Sequence, residues 1–527
     1  MSIPDPPSRH KSSAEPQPHT PSTGEMKAVV QFFRDISPFR FDVRQSVPEA
    51  PEEIHRSMQD AVWEGALAGI MASFIGGVIL AGFALSLGAN EVLVGLVAAI
   101  QAGANTLQMR AFRSLERHGN RKAMAVKFAT ASRLMWVVIC AVTFTSVEPF
   151  VSYRIWIFLG LFTISAGLGI FSYVPWTFWL VDLVPERVRG RFFAQRNLAA
   201  GAVGVVLGVG AGAFIDYWNE AALGPAPYAF VVLVAFGLVF GLWAVSIQNR
   251  MYDPPYPRPE SQLTFWESLK GPFSDPAFRR VFSFRVFYDL SLGMVGTFYS
   301  VYMLTQVHLS FTFVSAMVML TTLTNLLSLK FWGRMVDRFG NKPILYICLS
   351  GKLIFALLWV FTTPTTFLLY VLIHLFGLFD AGNSVAILTL VYKIAPAERR
   401  ANYITVDGTM VGIAATVAPL VGGGLAVFFS GWSVTLGPLQ WQHFHFLFLA
   451  SVVMRVVTFV FLRKVQEPEA VPVTEVVSVL RPIRSVDVYE GFEVAFNVMV
   501  APARYVLEKI VPISKSRRRG KRQRRSD

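Results

Sequence analysis

Three carboxylates stand inside long apolar stretches of the chain: Glu64, Asp289 and Asp380. A charge in hydrocarbon costs about 2.5–3.5 kcal/mol even on lenient scales, so an ionisable residue in such a stretch is a candidate functional group. Burial favours the protonated form of a carboxyl group, which makes all three candidates for proton binding. Asp380 lies deepest in its stretch and is our first choice for a carboxylate facing a cavity. A helix-end or gate role is the alternative for Glu64 and Asp289.

Spacing links a further charge to one of these carboxylates. Arg285 precedes Asp289 by four residues, so the two side chains share a helix face. If they pair, Asp289 stays ionised and Glu64 becomes the better proton candidate. The other substrate or proton candidates in apolar stretches are Gln101, Asn105, Arg133, Trp176 and Asn383. Hydrogen bonds between helices explain the polar side chains on the second helix equally well.

The composition places these residues in a membrane. The chain has 527 residues, of which 53% are hydrophobic and 16% charged, and its mean hydropathy is +0.47. Soluble proteins carry about 45–50% apolar and about 25% charged residues, so an ordinary soluble enzyme and a disordered protein are excluded. Roughly 20 apolar residues cross a bilayer as a helix. We predict an all-α membrane protein with twelve transmembrane helices, at 61–87, 90–110, 123–146, 155–181, 196–217, 226–247, 279–305, 310–332, 343–363, 366–391, 403–430 and 441–463.

The distribution of basic residues predicts the orientation. Lys and Arg are concentrated in the connections after the second, fourth, eighth and tenth helices, whereas the opposite connections are almost free of them, apart from Arg154. By the positive-inside rule, both termini lie in the cytoplasm. We expect a multi-pass protein of the cell membrane, specifically a bacterial inner membrane. This topology explains the net charge of +14, so we expect no nucleic-acid partner.

The chain divides into five parts. Residues 1–60 form a partly disordered cytoplasmic arm, 61–247 and 279–463 hold six helices each, 248–278 is a Pro-rich cytoplasmic linker, and 464–527 is a cytoplasmic basic tail. Within the arm, the segment 25–60 either lies on the membrane surface or is a linker. The basic run at 516–525 either contacts anionic lipid or is a solvated segment that enforces the topology.

The two sets of six helices contain an internal repeat. Glu116–Lys122 follows the second helix, and Gly333–Lys342 follows the eighth. In both, an acidic residue, Arg, any residue, Gly, Asn and a basic residue occur in the same order. A second alignment places Arg189 on Arg400, and a third places Glu64 beside Asp289. Transporters are commonly built from repeated bundles with a substrate site between them.

With this repeat, residues 60–463 resemble the major facilitator superfamily of secondary transporters. The superfamily loop, Gly-x-x-x-Asp-Arg-x-Gly-Arg/Lys, matches the second half closely, while the first copy has Phe112 for Gly and Glu116 for Asp. Residues 182–191 are similar to a group of bacterial facilitators. The resemblance implies two pseudo-symmetric six-helix bundles and a cytoplasmic gate formed by Gly333, Asp337, Arg338, Gly340 and Lys342, with Glu116, Arg117, Gly119, Arg121, Arg189 and Arg400 as the further members.

The resemblance implies alternating access, in which the two halves rock about a central site. Tyr173, Trp176 and Trp179 recur at helical spacing and predict an aromatic cavity wall, which suits a small lipophilic or amphipathic substrate. Protons are the expected coupling ions. The alternatives are a transporter of lysolipid or a similar amphiphile, and a receptor or scaffold that has lost transport and acts through its basic tail.

The sequence contains no convincing enzymatic or metal motif. It has no Walker loop, no dinucleotide fingerprint after a strand and no His pair at zinc spacing. Cys140 and Cys348 lie in apolar stretches and are expected to be buried rather than paired. We therefore expect no enzyme activity, no cofactor and no metal. The expected partners are a small-molecule substrate and membrane lipids, and the expected state is a monomer.

Overall fold

The computed structural model describes residues 49, 51–144, 150–255, 265–396, 399–436, 439–467, 470–472 and 475–476. Most of the N-terminal arm, including most of the segment 25–60, lies outside the described residues. The same holds for most of the C-terminal tail and for its basic run at 516–525.

Helices make up almost all of the described chain. They are α1 (Glu52–Ile75), α2 (Gly77–Ser86), α3 (Glu91–Ala104), α4 (Gln108–His118), α5 (Arg121–Phe144), α6 (Phe150–Leu183), α7 (Arg189–Glu220), α8 (Ala226–Arg250), α9 (Phe265–Ser274), α10 (Pro276–Thr305), α11 (Phe311–Phe339), α12 (Asn341–Trp359), α13 (Phe367–Leu375), α14 (Leu378–Ile394), α15 (Arg400–Phe428) and α16 (His443–Lys464). Short 3-10 turns lie at Asn105–Leu107 and Glu186–Val188. An antiparallel hairpin of β1 (Val434–Leu436) and β2 (Leu439–Trp441) precedes α16.

Each of the twelve predicted transmembrane stretches contains helix within its described residues, and the first and the tenth are interrupted, at Gly76 and at Phe376–Gly377. In the described chain, eleven helical stretches are long and apolar enough to cross a membrane; α10 has the length, 30 residues, but contains three arginines and Asp289. The helices extend beyond the predicted boundaries, since α1 begins at Glu52 and α6 runs to Leu183. Hydrophobicity marks only the part of a helix that lies in hydrocarbon, whereas the polar ends continue the same ladder of hydrogen bonds.

The two ends of the helix bundle differ in their connections. We call the end with the turns at Gly119 and Gly340 the linker end, because the chain that leaves α8 also lies there, and the opposite end, with the β1–β2 hairpin, the hairpin end. Gly119 and Gly340 have φ values of +68° and +88°. Glycine adopts this conformation without steric cost, so α5 and α12 can start directly after the preceding helices. Below, α1–α8 are the first half and α10–α16 the second half.

The halves pack against each other along two pairs of helices, α3 with α15 and α7 with α11. Glycines permit a close approach toward the hairpin end. A Cβ atom on Gly95 would lie 2.6 Å from the carbonyl oxygen of Pro419, and one on Gly212 would lie 2.6 Å from that of Phe311. Any larger side chain at these positions would force the backbones apart.

Asp216 of α7 links the two halves at the same end through hydrogen bonds to α11. Its carboxylate accepts hydrogen bonds from the backbone N–H groups of Phe311 (2.9 Å) and Thr312 (2.8 Å), and from the hydroxyl of Thr312 (2.5 Å). Both residues belong to the first turn of α11, where N–H groups lack acceptors within the helix and favour a negative charge. The hairpin end is therefore closed.

At the linker end, the described ion pairs stay within one half. Arg250 pairs with Asp60 at 2.8 Å in the first half, and Lys393 pairs with Glu467 at 3.1 Å in the second. In the described chain, no ion pair at this end joins the two halves in the way that Asp216 joins α7 to α11 at the hairpin end. The structure is thus held shut at the hairpin end.

A substitution at Gly212 tests this closure. Gly212→Val is expected to open the hairpin end, because the added methyl groups collide with the Phe311 carbonyl. The measurement is the reaction of a maleimide, added from the hairpin side, with a cysteine placed at Ser300, which lines the cavity between the halves. Cys140 and Cys348 are replaced by serine in this background. We expect labelling to become several-fold faster.

Gly208→Val is the matched control, because a Cβ atom on Gly208 meets nothing within 4 Å. Its labelling rate should equal that of the parent. Equal rates in the Gly212 and Gly208 variants would show that this helix crossing does not hold the end shut.

Candidate functional site

The first transmembrane helix is broken in its middle. Helix α1 ends at Ile75 and α2 begins at Gly77, whose φ is +53°. The first helical hydrogen bond of α2 runs from Leu80 N–H to the Gly76 carbonyl at 3.2 Å, so the N–H groups of Gly77, Val78 and Ile79 have no acceptor within the helix. Such groups are tolerated at membrane depth only where the backbone is packed in protein or lines a cavity.

Two cavities flank the break. One, of about 250 Å³, lies between α2, α3, α10 and α11 and is lined by residues that include Gly77, Gln101, Thr297, Ser300 and Val318. The other, of about 270 Å³, lies between α1, α2, α7 and α11 and includes Ser73, Gly76, Gly204, Ser315 and Thr322. Both contain residues of each half. Their described linings are small and apolar with a few hydroxyls and one amide, and they carry no charged side chain.

A third, more polar cavity of about 390 Å³ lies within the first half, where Glu64, Arg133, Trp176, Arg196 and Gln248 meet. Glu64 is buried, with 3% of its surface exposed. Its carboxylate accepts from the Arg196 guanidinium at 2.7 Å and from the Gln248 amide at 3.0 Å. Glu64 is therefore ion-paired, a contact that the sequence did not indicate.

A related group occupies the second half. The guanidinium of Arg285 lies 3.0 Å from Asp289 and 3.5 Å from Asp407. The predicted Arg285–Asp289 pair thus forms, and it acquires a second carboxylate from α15. One oxygen of Asp407, Oδ1, is buried with no hydrogen-bond partner in the described chain. Two carboxylates share one cation here.

The repeat relates these two groups with inverted charge. Glu64 aligns with Asp289, and the alignment of Arg189 with Arg400 places Arg196 on Asp407. The first half therefore has a carboxylate beside guanidiniums, and the second half a guanidinium beside carboxylates. Because Glu64 and Asp289 both have cationic partners, pairing alone does not single out Glu64 as the proton carrier.

The remaining candidates lie apart from one another. Asp380 pairs with Lys352 at 2.7 Å inside the second half. The amide of Asn383 donates to the Phe379 carbonyl at 3.1 Å, and that of Gln108 donates to Asn105 at 3.1 Å. Of the predicted substrate residues, Gln101 reaches the central cavity, whereas Glu64, Arg133 and Trp176 meet in the polar one.

The linker-end turns form a second repeated feature. In the first half, buried Arg121 pairs with Asp182 and, at 2.8 Å, with Asp253, while Lys122 Nζ donates to the Met251 carbonyl at 2.7 Å. Met251 directly follows α8. The turn before α5 is thereby bonded to the residues that follow α8, the last helix of the first half.

The second half repeats this arrangement. Lys342 Nζ donates to the carbonyl of Val465, which directly follows α16, at 2.6 Å. Glu467 accepts from the backbone N–H groups of Asn341 (3.0 Å) and Lys342 (2.7 Å) at the start of α12, and from Lys393 at 3.1 Å. Burial alone would raise the pKa of Glu467, but these donors hold it below its usual value.

The other predicted gate residues take little part in this network. Asp337, Arg338 and Arg117 are exposed, and Arg338 lies over the Phe339 ring at 5.0 Å. Asp337 has no hydrogen bond or ion pair within the described chain. Of the rest, Glu116 is half-buried, and a Cβ atom on Gly333 would meet nothing within 4 Å. Arg189 lies 3.7 Å from Glu186, and the side chain of Arg400 is outside the described structure.

The fold and the paired halves agree with the comparison to known families. A model of the Major Facilitator Superfamily matches residues 281–505. This match covers the second half of the chain and part of the tail, and the chain resembles the superfamily in its fold. The predicted superfamily and its all-α fold of paired bundles are thereby confirmed. Members of the superfamily are secondary transporters rather than enzymes.

A curated relative and three solved structures extend the comparison. The class H tetracycline resistance protein of Pasteurella multocida is 29% identical over 140 residues, which are 26% of this chain; the chain spans about a third, 32%, of that relative's length. A point mutant of the nucleoside transporter NupG has a TM-score of 0.61 at 11% identity and covers 78% of this chain and 100% of its own.

The D-xylose-proton symporter has a TM-score of 0.59 at 16% identity, covering 79% of this chain and 99% of its own. An inward-facing, unoccupied bacterial homologue of the human lysosomal transporter Spinster has a TM-score of 0.58 at 15% identity, covering 80% and 100%. At such identities these structures establish the fold that the chain shares with them.

The Glu467 contacts predict a pH-dependent contribution to stability. Glu467→Gln is expected to lower the unfolding temperature at neutral pH, because a hydrogen bond to a charged group contributes about 1.5–3 kcal/mol. The folded-state pKa of Glu467 lies below its usual 4.5, so the stabilisation is present above that value and is lost as pH falls through the folded pKa. Thermal unfolding of both proteins across this range checks the expectation.

Glu186→Gln, at an exposed carboxylate of the same end, is the control and should change the unfolding temperature little at any pH. A deficit in Glu467→Gln that stays constant from neutral to acidic pH would contradict the assigned role of the charge.

Proposed function

We propose that this protein is a secondary transporter that moves a small apolar or amphipathic molecule by alternating access. The observation that carries the proposal is the break at Gly76–Gly77 between two uncharged cavities, each lined by both halves. Discontinuous helices form the substrate sites of many transporters. Unpaired N–H groups, hydroxyls and the Gln101 amide offer a few polar contacts, and the rest of the lining suits an apolar body.

The linker end faces the cytoplasm in this proposal. Its connections carry Arg113, Arg117, Arg187, Arg334 and Arg338, as the positive-inside rule requires. The structure is held shut at the opposite, hairpin end, so it corresponds to a state in which the cytoplasmic side gives access. Transport then requires the contacts of Asp216 with α11 to break as the linker end closes.

Proton coupling is assigned to the group around Arg285. With Asp289 and Asp407 both ionised, one guanidinium leaves the group with one net negative charge at low exposure. A proton bound to this pair removes the charge, whereas Lys352 and Asp380 already neutralise each other. The carboxylates of the second half, rather than Asp380, are therefore the proposed proton carriers.

Uptake into proteoliposomes tests the function. Tetracycline, ethidium and lysophosphatidylcholine are the probes, each measured with and without an imposed pH gradient. We expect saturable uptake of at least one probe and its accumulation by the gradient. Asp407→Asn should abolish accumulation driven by the pH gradient. It should retain flux of the probe down the concentration gradient of the probe itself, because the remaining Asp289 is neutralised by Arg285.

The double variant Lys352→Met/Asp380→Asn is the control, because it removes a pair that is neutral by itself. It should retain the response to pH. Loss of the response in the double variant and its retention in Asp407→Asn would overturn the assignment of the coupling site, and the absence of saturable flux for all three probes would contradict the proposed substrate class.

A further inference from the structure

The polar cavity of the first half has an excess of positive charge. Arg133 and Arg196 contribute two guanidiniums and Glu64 the single carboxylate among its described lining residues. Glu64 is satisfied by Arg196 at 2.7 Å and by Gln248 at 3.0 Å. In the described chain, Arg133 donates to the Ala129 carbonyl at 3.1 Å, and its buried Nε has no partner.

An unbalanced cation at this depth needs a counter-charge. Arg133 is half-buried, and leaving such a guanidinium without a full counter-charge is costly. Functional sites are where such costs are retained. The carboxylate of Glu64 is already engaged by Arg196 and Gln248. Glu64 also interacts electrostatically with Arg133, but two guanidiniums and one carboxylate leave the cavity with one net positive charge, which an anion from outside the chain would balance.

The walls of the cavity favour an aromatic or apolar body beside that anion. Trp176 is buried and packs edge-on against Trp179 at 5.2 Å, and the Arg196 guanidinium lies 5.8 Å from the centre of the Trp176 ring. Tyr173, on the same helix, also lines the cavity and is exposed. Flat rings beside a cation suit a ligand with an apolar body and a charged end.

The polar cavity adjoins the cavity at the helix break. Ala68 of α1 and Asn197 of α7 line the polar one, while Ala72 and Gly201, four residues further along the same helices, line the other. Four residues correspond to a rise of about 6 Å. A molecule with its charged end at Arg133 can therefore place its apolar body toward Gly76.

We propose that Arg133 binds the anionic head group of an amphiphile whose apolar body lies against Trp176 and toward the break in the first transmembrane helix. This inference rests on the proposed transport function and specifies its substrate as an organic anion. A carboxylate, sulfonate or phosphate would accept hydrogen bonds from the part of the Arg133 guanidinium that lines the cavity.

Three ligands with one body and different charges test the site: naphthoate, naphthalenemethanol and naphthylmethylammonium. Binding is measured by calorimetry to the full chain in nanodiscs of phosphatidylcholine. Naphthoate should bind at least about tenfold more tightly than the other two. Arg133→Gln should weaken naphthoate binding by about 10- to 100-fold, the effect of one charged hydrogen bond, and leave naphthalenemethanol unchanged.

Two further variants separate charge from folding. Lys127→Gln removes an equal charge from an exposed position of the same helix and should leave all three affinities unchanged. Arg133→Lys keeps the charge and should retain most of the naphthoate affinity. Thermal unfolding identifies any variant that is not folded. If Arg133→Gln is not folded, the preference of the parent for naphthoate over the alcohol and the amine decides.

The source of the anion is distinguished by adding phosphatidylglycerol to the nanodiscs. If the added lipid weakens naphthoate binding in the parent but not in Arg133→Gln, the natural ligand is a lipid head group. If the added lipid has no effect on naphthoate binding, the ligand is a free organic anion.

The inference is overturned if naphthoate fails to saturate up to millimolar concentration, if the alcohol or the amine binds as tightly, or if Arg133→Gln and Lys127→Gln behave alike. Flux of tetracycline, ethidium or lysophosphatidylcholine without naphthoate binding would overturn this inference alone. Anion binding without any flux would contradict the proposed transport instead.

Discussion

A peptide group in hydrocarbon must find its hydrogen-bond partner within the protein, because lipid tails offer none. This constraint makes the described membrane region almost entirely helical. An interruption of the first transmembrane helix therefore leaves N–H groups that need partners outside the helix. At Gly76–Gly77 the ladder of α1 ends and that of α2 has not begun, and the two central cavities lie on either side. The proposed substrate site is built around unpaired backbone rather than around a charged side chain.

Charge is placed elsewhere and is nearly balanced. The two halves carry equivalent groups of opposite sign, Glu64 with Arg196 in the first half and Arg285 with Asp289 and Asp407 in the second. Each group has one charge without a full partner: Arg133 in the first half and Asp407 in the second. We propose that an anionic amphiphile satisfies the former and a proton the latter. The repeat thus places groups of opposite charge at equivalent positions of the two halves.

Hydropathy and the repeat were sufficient to predict the helices, their order and the superfamily, because these depend on local composition. The Arg285–Asp289 pair could be predicted because it depends on spacing along one helix. The break at Gly76–Gly77 was missed, since glycines within an apolar run do not distinguish a bent helix from an interrupted one. The partners of Glu64, Asp380 and Arg121 come from other helices, and periodicity does not specify such contacts. Glu467 lay in a stretch assigned to the tail, yet it caps α12.

The alternation of the two ends is most directly tested by distances between spin labels in nanodiscs. One pair, at Arg117 and Arg338, spans the linker end; the other, at Glu220 and Phe428, spans the hairpin end. All four positions are exposed. Alternating access predicts two distance populations for each pair, and a transported amphiphile should shorten one distance as it lengthens the other. A single population at both ends that does not respond to any transported molecule would contradict alternating access.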